Sequence, residues 1–463
     1  MKLNSISLRH AHHFSDLNIE FKYSDKPITL ILGDQSSGKT AILKNIYQSL
    51  TWFSARFKDA RTAGVVMPDS DITFNRVQSR IDIQIQIPDE IGTLPESTTS
   101  EEKDVKQCAW RLYKTIQANG VGFSKVDTLQ LEQTIQLYHK ALAQDPLLGL
   151  PMIAFYPSDR FVNDINLISK NNPAVFQNHS AYELVVLPYT TFARFFEWFR
   201  EICDIENAQA ANLFQQILID AKEIKSTDQI TVDHDEKNVE FAKSLFQAHA
   251  QLHSPSLNAL NTAINIVIPE ITDLYLEYQP KLQLMVCYNN QDIAYQQLSN
   301  SIKNWIALVG DIVRRLSLLN PNSLFPCLEG NGILLIDSID AQLDQNSTQS
   351  ILTRLNQAFP NIQIIASGTS TDLLENAEQY QYLKLENKHI EQIDLASSKI
   401  SMDTLYQNLL GQNFSVTADV LPEPDRSTDV EKLFEHFQNL SLEQQQELMK
   451  LLGDDDRLSK AKL

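Results

Sequence analysis

Gly33-Asp34-Gln35-Ser36-Ser37-Gly38-Lys39-Thr40 has the form G-x-x-x-x-G-K-S/T and follows the apolar run Ile28-Thr29-Leu30-Ile31-Leu32. A strand, this loop and a helix opening near Ala41 form the context of a P-loop. The spacing has a chemical reason. Glycines let backbone N–H groups turn inward around a phosphate, and the following helix adds the positive end of its dipole. Gly33, Asp34, Gln35, Ser36, Ser37, Gly38, Lys39, Thr40 and Ala41 are therefore the expected phosphate cradle. Lys39 is placed to reach the β- and γ-phosphates of ATP, and Thr40 to hold Mg²⁺. At average glycine usage the pattern arises by chance roughly 0.02 times in a chain of this length, so a plain glycine turn is the weaker account.

Composition narrows the class. The 463 residues are 43% hydrophobic and 21% charged, as in a globular chain with a substantial core. Lys and Arg number 39 against 58 Asp and Glu, a net charge of −19. Such a balance excludes a general nucleic-acid coat and leaves only a local basic patch as a route to DNA or RNA. Cys108, Cys203, Cys287 and Cys327 are scattered without a C-x-x-C pair. Neither a zinc site nor a disulfide framework is indicated, and a reduced, cytoplasmic protein is expected. No signal peptide opens the chain, and no apolar run approaches the ~18 residues of a membrane span. His10, His12 and His13 sit between two expected strands and read as a solvated turn rather than a metal site.

Hydropathy patterning predicts strands at 3–8, 17–21, 72–76 and 81–87, with the first helix running through about Leu50. Residues 88–106 read as a mobile loop and 107–145 as mostly helical. Residues 152–156 form a buried strand ended by Pro157. Residues 180–260 read as largely helical, with a loop or break at 224–236. Phe192, Phe195, Phe196, Trp198 and Phe199 form an aromatic stripe of the kind that packs a core or a dimer. Strands return at 271–287, and a helix is expected at 301–319. The apolar strands 332–337 and 362–367, with a helix at 347–358 between them, argue for a βαβ crossover. A strand pair follows at 382–395. Pro422-Glu423-Pro424 marks a linker, and 427–453 an acidic amphipathic helical tail, read either as a docking element or as a packing helix.

A P-loop needs a carboxylate to hold Mg²⁺, and Asp337 at the end of an apolar strand fits. Lys39 and Asp337 lie about 300 residues apart. A separation of that size resembles the SMC, RecF and OLD branch of ABC-type ATPases. Four segments carry a closer likeness. Ala154-Phe155-Tyr156-Pro157-Ser158-Asp159-Arg160 is similar to a Y-Y-P-x-x-R segment. Phe195-Phe196-Glu197-Trp198-Phe199-Arg200, continuing to Glu206-Asn207, is similar to F-F-x-W-F…E-N. Gln297-Leu298-Ser299-Asn300-Ser301, followed by Ala307 to Ile312, resembles a Q-L-S-x-G signature and its helix. Leu335-Ile336-Asp337-Ser338-Ile339-Asp340-Ala341-Gln342-Leu343 resembles L-I-D-E-I-D-x-H-L. These are the segments of the ATPase subunits of Septu and retron-linked anti-phage systems.

The resemblance implies an α/β, ABC-type P-loop head with a mixed β-sheet flanked by helices. The head would comprise 1–90 and 271–395, interrupted by a mostly helical insertion at 91–270 and followed by a helical tail at 396–463. It implies Mg-ATP held between two heads, so a head-to-head dimer or higher oligomer. Ser299 would be offered to the γ-phosphate of the other head, and a partner effector, a nuclease, would be controlled by the assembly. This chain departs from the pattern at four places. Ser338 stands for the Glu that polarises the attacking water, Ser301 for the signature Gly, Thr369 for a switch His and Gln342 for a second His. Nucleotide-holding residues are thus intact and turnover residues altered, so hydrolysis is expected to be slow or absent; Asp340 is a possible substitute base. Two other readings stand beside this one. One is an active RecF/SMC-like ATPase of DNA repair or chromosome maintenance; the other is a pseudo-ATPase paired with an active homologue. Arg160, Arg314 and Arg315 are candidates for phosphate or acidic partners, with solvated or salt-bridged arginine the commoner case.

Overall fold

The chain divides into two compact units, Met1–Lys399 and Ile400–Leu463. A computed structural model describes residues 1–24, 26–94, 106–117, 120, 122–162, 178–182, 192–226, 255–374 and 380–393. The expected linker at 422–424 and tail at 427–453 lie outside the described residues, as do 95–105 of the expected loop and 227–254 of the expected helical region.

The order opens with a hairpin, β1 (Lys2–Ala11) and β2 (Phe14–Glu20). The P-loop strand β3 (Ile28–Gly33) and helix α1 (Lys39–Lys58) follow, then β4 (Gln78–Gln86), β5 (Gln107–Ile116), β6 (Gly122–Asp127) and α2 (Leu129–Gln144). Next come β7 (Met152–Tyr156), α3 (Ala193–Ser226), α4 (Pro255–Val267), β8 (Ile271–Glu277), β9 (Gln283–Tyr288) and β10 (Gln291–Ala294). The described part ends with α5 (Asn300–Leu319), the short α6 (Pro326–Glu329), β11 (Gly332–Ile336), α7 (Gln345–Ala358), β12 (Ile362–Gly368), β13 (Tyr380–Glu386) and β14 (His389–Ile393).

Three sheets result. An antiparallel sheet runs β2-β1-β4-β5-β6, and a small one β10-β9-β8. The sheet that carries the site runs β14-β13-β3-β12-β11-β7, parallel except at β14. Its inner strands β3, β11 and β12 are buried on both faces, as continuous apolar runs in a parallel sheet require. The β11–α7–β12 passage is the crossover expected from the sequence, with Leu334 opposite Ile364.

Helix α1 is buried along most of its length, from Ile42 to Ala55, because it lies between two sheets. It contacts β3, β7, β11 and β12 on one side and β4 on the other. Trp110 of β5 donates its indole N–H to the carbonyl of Ser49 at 3.0 Å. Phe155 of β7 meets Tyr47 of α1 with ring centroids 5.5 Å apart. Its neighbour Tyr156 hydrogen-bonds Asp311 of α5 at 2.9 Å. Successive strand side chains point to opposite faces, so α1 and α5 cover opposite faces of the main sheet. The aromatic stripe is core: Phe195 and Phe199 are fully buried, and the Phe195 ring lies where a Cβ on Gly310 of α5 would stand.

Several local expectations are corrected. Residues 107–116 and 122–127 are strands rather than helix, and of the described residues in 107–145 only 129–144 are helical. Cys108, Trp110, Leu112 and Lys114 alternate inward along β5, so the antiparallel sheet continues past residue 90. The fourth inward position is a lysine, which hides the period of two; its ammonium meets Asp69 at 2.8 Å. Residues 72–76 supply only an isolated bridge between Ala11 and Ile72. Helix α1 runs past Leu50 to Lys58. The short polar β10 has no apolar alternation to announce it.

Candidate functional site

The P-loop joins β3 to α1 in the geometry its glycines require. Gly38 has φ +111°, a conformation L side chains rarely adopt, and Ser36 sits at φ +62°. A Cβ on Gly38 would overlap the His13 ring and approach Phe14 Cζ to 2.6 Å; one on Gly33 would strike the carbonyl of Leu385. Asp34, Gln35 and Ser36 are exposed at the tip of the loop. Lys39 folds back over it, donating to the carbonyl oxygens of Gly33 at 2.5 Å and Asp34 at 2.8 Å, with Ser37 Oγ at 3.5 Å. Burial lowers the Lys39 ammonium below its ordinary value, while Asp337, Asp340 and Asp34 pull it up.

His13 belongs to this loop, which the sequence reading did not anticipate. Its Nε2 lies 3.0 Å from the carbonyl of Ser37, and its ring packs on Phe14 at 4.5 Å. The His10–His13 turn is therefore half-buried against the P-loop rather than solvated. Burial lowers the His12 imidazole, opposed by Asp71.

Asp337, 1% exposed, meets the P-loop from the end of β11. Thr40 Oγ1 donates to its Oδ2 at 2.7 Å and Ser367 Oγ to its Oδ1 at 2.6 Å. Its backbone N–H donates to the carbonyl of Tyr156 at 2.9 Å. Thr40 and Asp337, 297 residues apart, thus converge as sequence reasoning expected. Their oxygens are hard donors of the kind Mg²⁺ takes together with phosphate and water, and the loop above is shaped by glycines where side chains would intrude. These residues fit a magnesium nucleotide.

Arg160 is not placed for a phosphate or an acidic partner. Its guanidinium donates to the backbone carbonyls of Pro157 at 3.1 Å, Asp337 at 2.7 Å and Ser338 at 3.0 Å. Burial pushes it down to about 10, against the pull of Asp337 and Asp340. Arg314 and Arg315 are likewise internal. Both donate to Asp311 at 2.8 Å, and Tyr156 donates to the same carboxylate. Burial alone would raise the Asp311 carboxyl, but the two guanidiniums hold it well below the usual range.

The altered positions interlock. Ser338 sits at φ +48°, and its N–H donates to Ser367 Oγ at 3.0 Å. Asp340, the possible substitute base, has one oxygen committed to three donors. These are the N–H and hydroxyl of Thr369 at 2.7 and 2.9 Å and the N–H of Ser370 at 2.7 Å. Here it clips the loop after β12 to the loop after β11. Ser301 donates to the carbonyl of Gln342 at 2.5 Å, and Asn304 to the Gln342 side chain at 2.9 Å. Ser299 caps α5, accepting from Ile302 N–H at 3.3 Å. It lines, with Ser301, Gln342 and Arg354, a separate cleft of about 300 Å³; no described hydrogen bond joins it to residues 33–41.

Residues 5–272 match the AAA domain family. The chain belongs to that family. This AAA domain chain is 26% identical over 412 residues to the retron Ec83 probable ATPase of Escherichia coli, covering 84% of this chain and 72% of the relative. It is 27% identical over 397 residues to the retron Vc95 probable ATPase of Vibrio cholerae serotype O1 biovar El Tor, covering 82% and 73%. Among solved structures it is similar to the Smc head domain with an extended coiled coil bound to the C-terminal domain of ScpA, derived from Pyrococcus furiosus. That match has a TM-score of 0.45 at 12% identity and covers 88% of this chain and 99% of that one. It is also similar to the recombination mediator protein RecF, with a TM-score of 0.37 at 13% identity, covering 84% and 98%. Among the described residues no helix is long and apolar enough to cross a membrane.

Proposed function

We propose that this chain binds Mg-ATP through residues 33–41 and Asp337, hydrolyses it slowly or not at all, and acts as an ATP-gated assembly and sensor subunit of an anti-phage defence system. The observation that carries the reading is the meeting of Thr40, Asp337 and Ser367 under a P-loop with its lysine in place, beside a serine at position 338. Loop, helix dipole and Lys39 supply phosphate binding; Thr40 and Asp337 hold the metal, which screens phosphate charge when bound. A serine hydroxyl at 338 does not replace a carboxylate as base, and a missing base typically costs ~10²–10⁴ in rate. The two relatives, each a retron probable ATPase, support the defence setting. In that setting ATP held between two copies, with Ser299 facing the nucleotide of the other copy, keeps an effector, a nuclease, in check.

The test is to incubate the purified chain with Mg-ATP and quantify retained nucleotide and released phosphate together, with Lys39→Ala as control. Retention without steady release, lost in the control, is expected. Steady turnover that DNA stimulates and Lys39→Ala abolishes would refute the reading and favour a repair-type ATPase.

A further inference from the structure

Arg160 is a buried cation whose described hydrogen bonds all go to backbone carbonyls. It is 7% exposed. Its two terminal nitrogens span the ends of two adjacent strands, at Pro157 just after β7 and at Asp337 and Ser338 just after β11. Among the described residues no carboxylate lies at hydrogen-bond distance from this guanidinium, and burying a charge that way is costly, so its geometry calls for a reason. The place it holds is informative. Asp337 is fixed at four points: Thr40 and Ser367 hold its carboxylate, Tyr156 accepts its N–H, and Arg160 takes its carbonyl. The next residue, Ser338, is in the left-handed region at φ +48°, where a non-glycine residue persists only if its surroundings hold it. Arg160 grips that residue's carbonyl too.

We propose that Arg160 is a positioning residue for the metal site: its fork locks the peptide units at 337 and 338 and so aims the Asp337 carboxylate at the magnesium. The proposal rests on the Mg-ATP reading above. Groups that orient metal-holding residues typically change metal affinity ~10–100-fold when replaced. A lysine keeps charge and much of the volume but lacks the planar fork that spans separated carbonyls, so Arg160→Lys separates geometry from charge without emptying the core.

Two measurements on the full chain test it. First, ATP retention is titrated against Mg²⁺ for wild type and Arg160→Lys, and repeated in EDTA. The Mg²⁺ concentration for half-maximal retention is expected to rise at least tenfold, with the EDTA value and melting temperature nearly unchanged. An unchanged Mg²⁺ midpoint, or an equal fall with and without metal, would overturn the role, because a general structural defect acts on both. Second, hydrogen exchange of the nucleotide-free chain follows peptides across 334–341. Faster exchange of the Ser338 and Ile339 amides in the variant, with β12 unaffected, is expected; unchanged exchange overturns the positioning. If wild type retains no ATP, the Mg-ATP reading falls, and the exchange result alone decides whether Arg160 holds these two peptides.

Discussion

Asp311→Asn removes the negative charge from a cluster in which Asp311, Arg314 and Arg315 are each at most 4% exposed at the side chain. The amide keeps nearly the shape of the carboxylate, so the loss is electrostatic. Two guanidiniums remain in the core with weakened compensation, and breaking a buried pair in this way costs about 3–5 kcal/mol. Unfolding entropy near 2.1 cal/mol/K per residue, over the unit Met1–Lys399, gives roughly 0.8 kcal/mol/K, so the melting temperature should fall about 4–6 °C. The pH dependence supplies a second signature. The Asp311 carboxyl is depressed in the fold from its ordinary 3.8. Its stabilisation is therefore present above that value and lost as pH falls through the folded value. The gap between wild type and variant should be constant from pH 7 to 5 and narrow only below about 4. Differential scanning fluorimetry across that range reads both. A variant melting within 1 °C of wild type at pH 7, or a gap closing near pH 6, would show that the cluster does not hold α5 to β7 as described.

Two further substitutions address the loop and the proposed lack of a base at residue 338. Gly38→Ala sets a Cβ against His13 and Phe14 at φ +111°; strain and overpacking together should cost about 2–5 kcal/mol. Denaturant unfolding reads that loss, and ATP retention should drop at least tenfold. Ser338→Glu places a carboxylate at a residue already in the left-handed region. Phosphate release should rise by ~10²–10⁴ if the base is what is lacking; an unchanged rate with ATP still bound would mean the Asp340 clip or the Gln342 contacts also block turnover.

What the sequence makes legible is local. Gly33 to Thr40 and the strand ending at Asp337 can be read because a P-loop and an apolar strand are written in consecutive residues. Their convergence could be expected because a P-loop calls for a metal-holding carboxylate. The contacts that define the altered positions are long-range. Asp340 meets Thr369 across 29 residues and Ser301 meets Gln342 across 41, and no periodicity encodes such pairs. His13 reaches Ser37 because the β1–β2 turn lies against the P-loop. Lys114 disguises β5 by placing a charge where the alternation requires an apolar residue. The carbonyls that hold Arg160 at residues 337 and 338 are 177 and 178 residues away in the chain. Asp311, by contrast, stands one helical turn before Arg314 and Arg315, so the salt-bridged alternative was legible there and only its burial was not.

The strand that leads into the P-loop has its two hydrogen-bonded neighbours, β12 and β13, near the far end of the described chain. During synthesis at ~5–20 residues per second, β3 waits for about 330 residues, roughly 20–70 s, before either edge can be covered. Throughout that interval a short, mostly apolar strand has two open edges, the condition that invites pairing with the wrong chain. Newly made copies should consequently depend on early shielding of residues 28–33. Truncations ending before residue 362 should collect as insoluble protein.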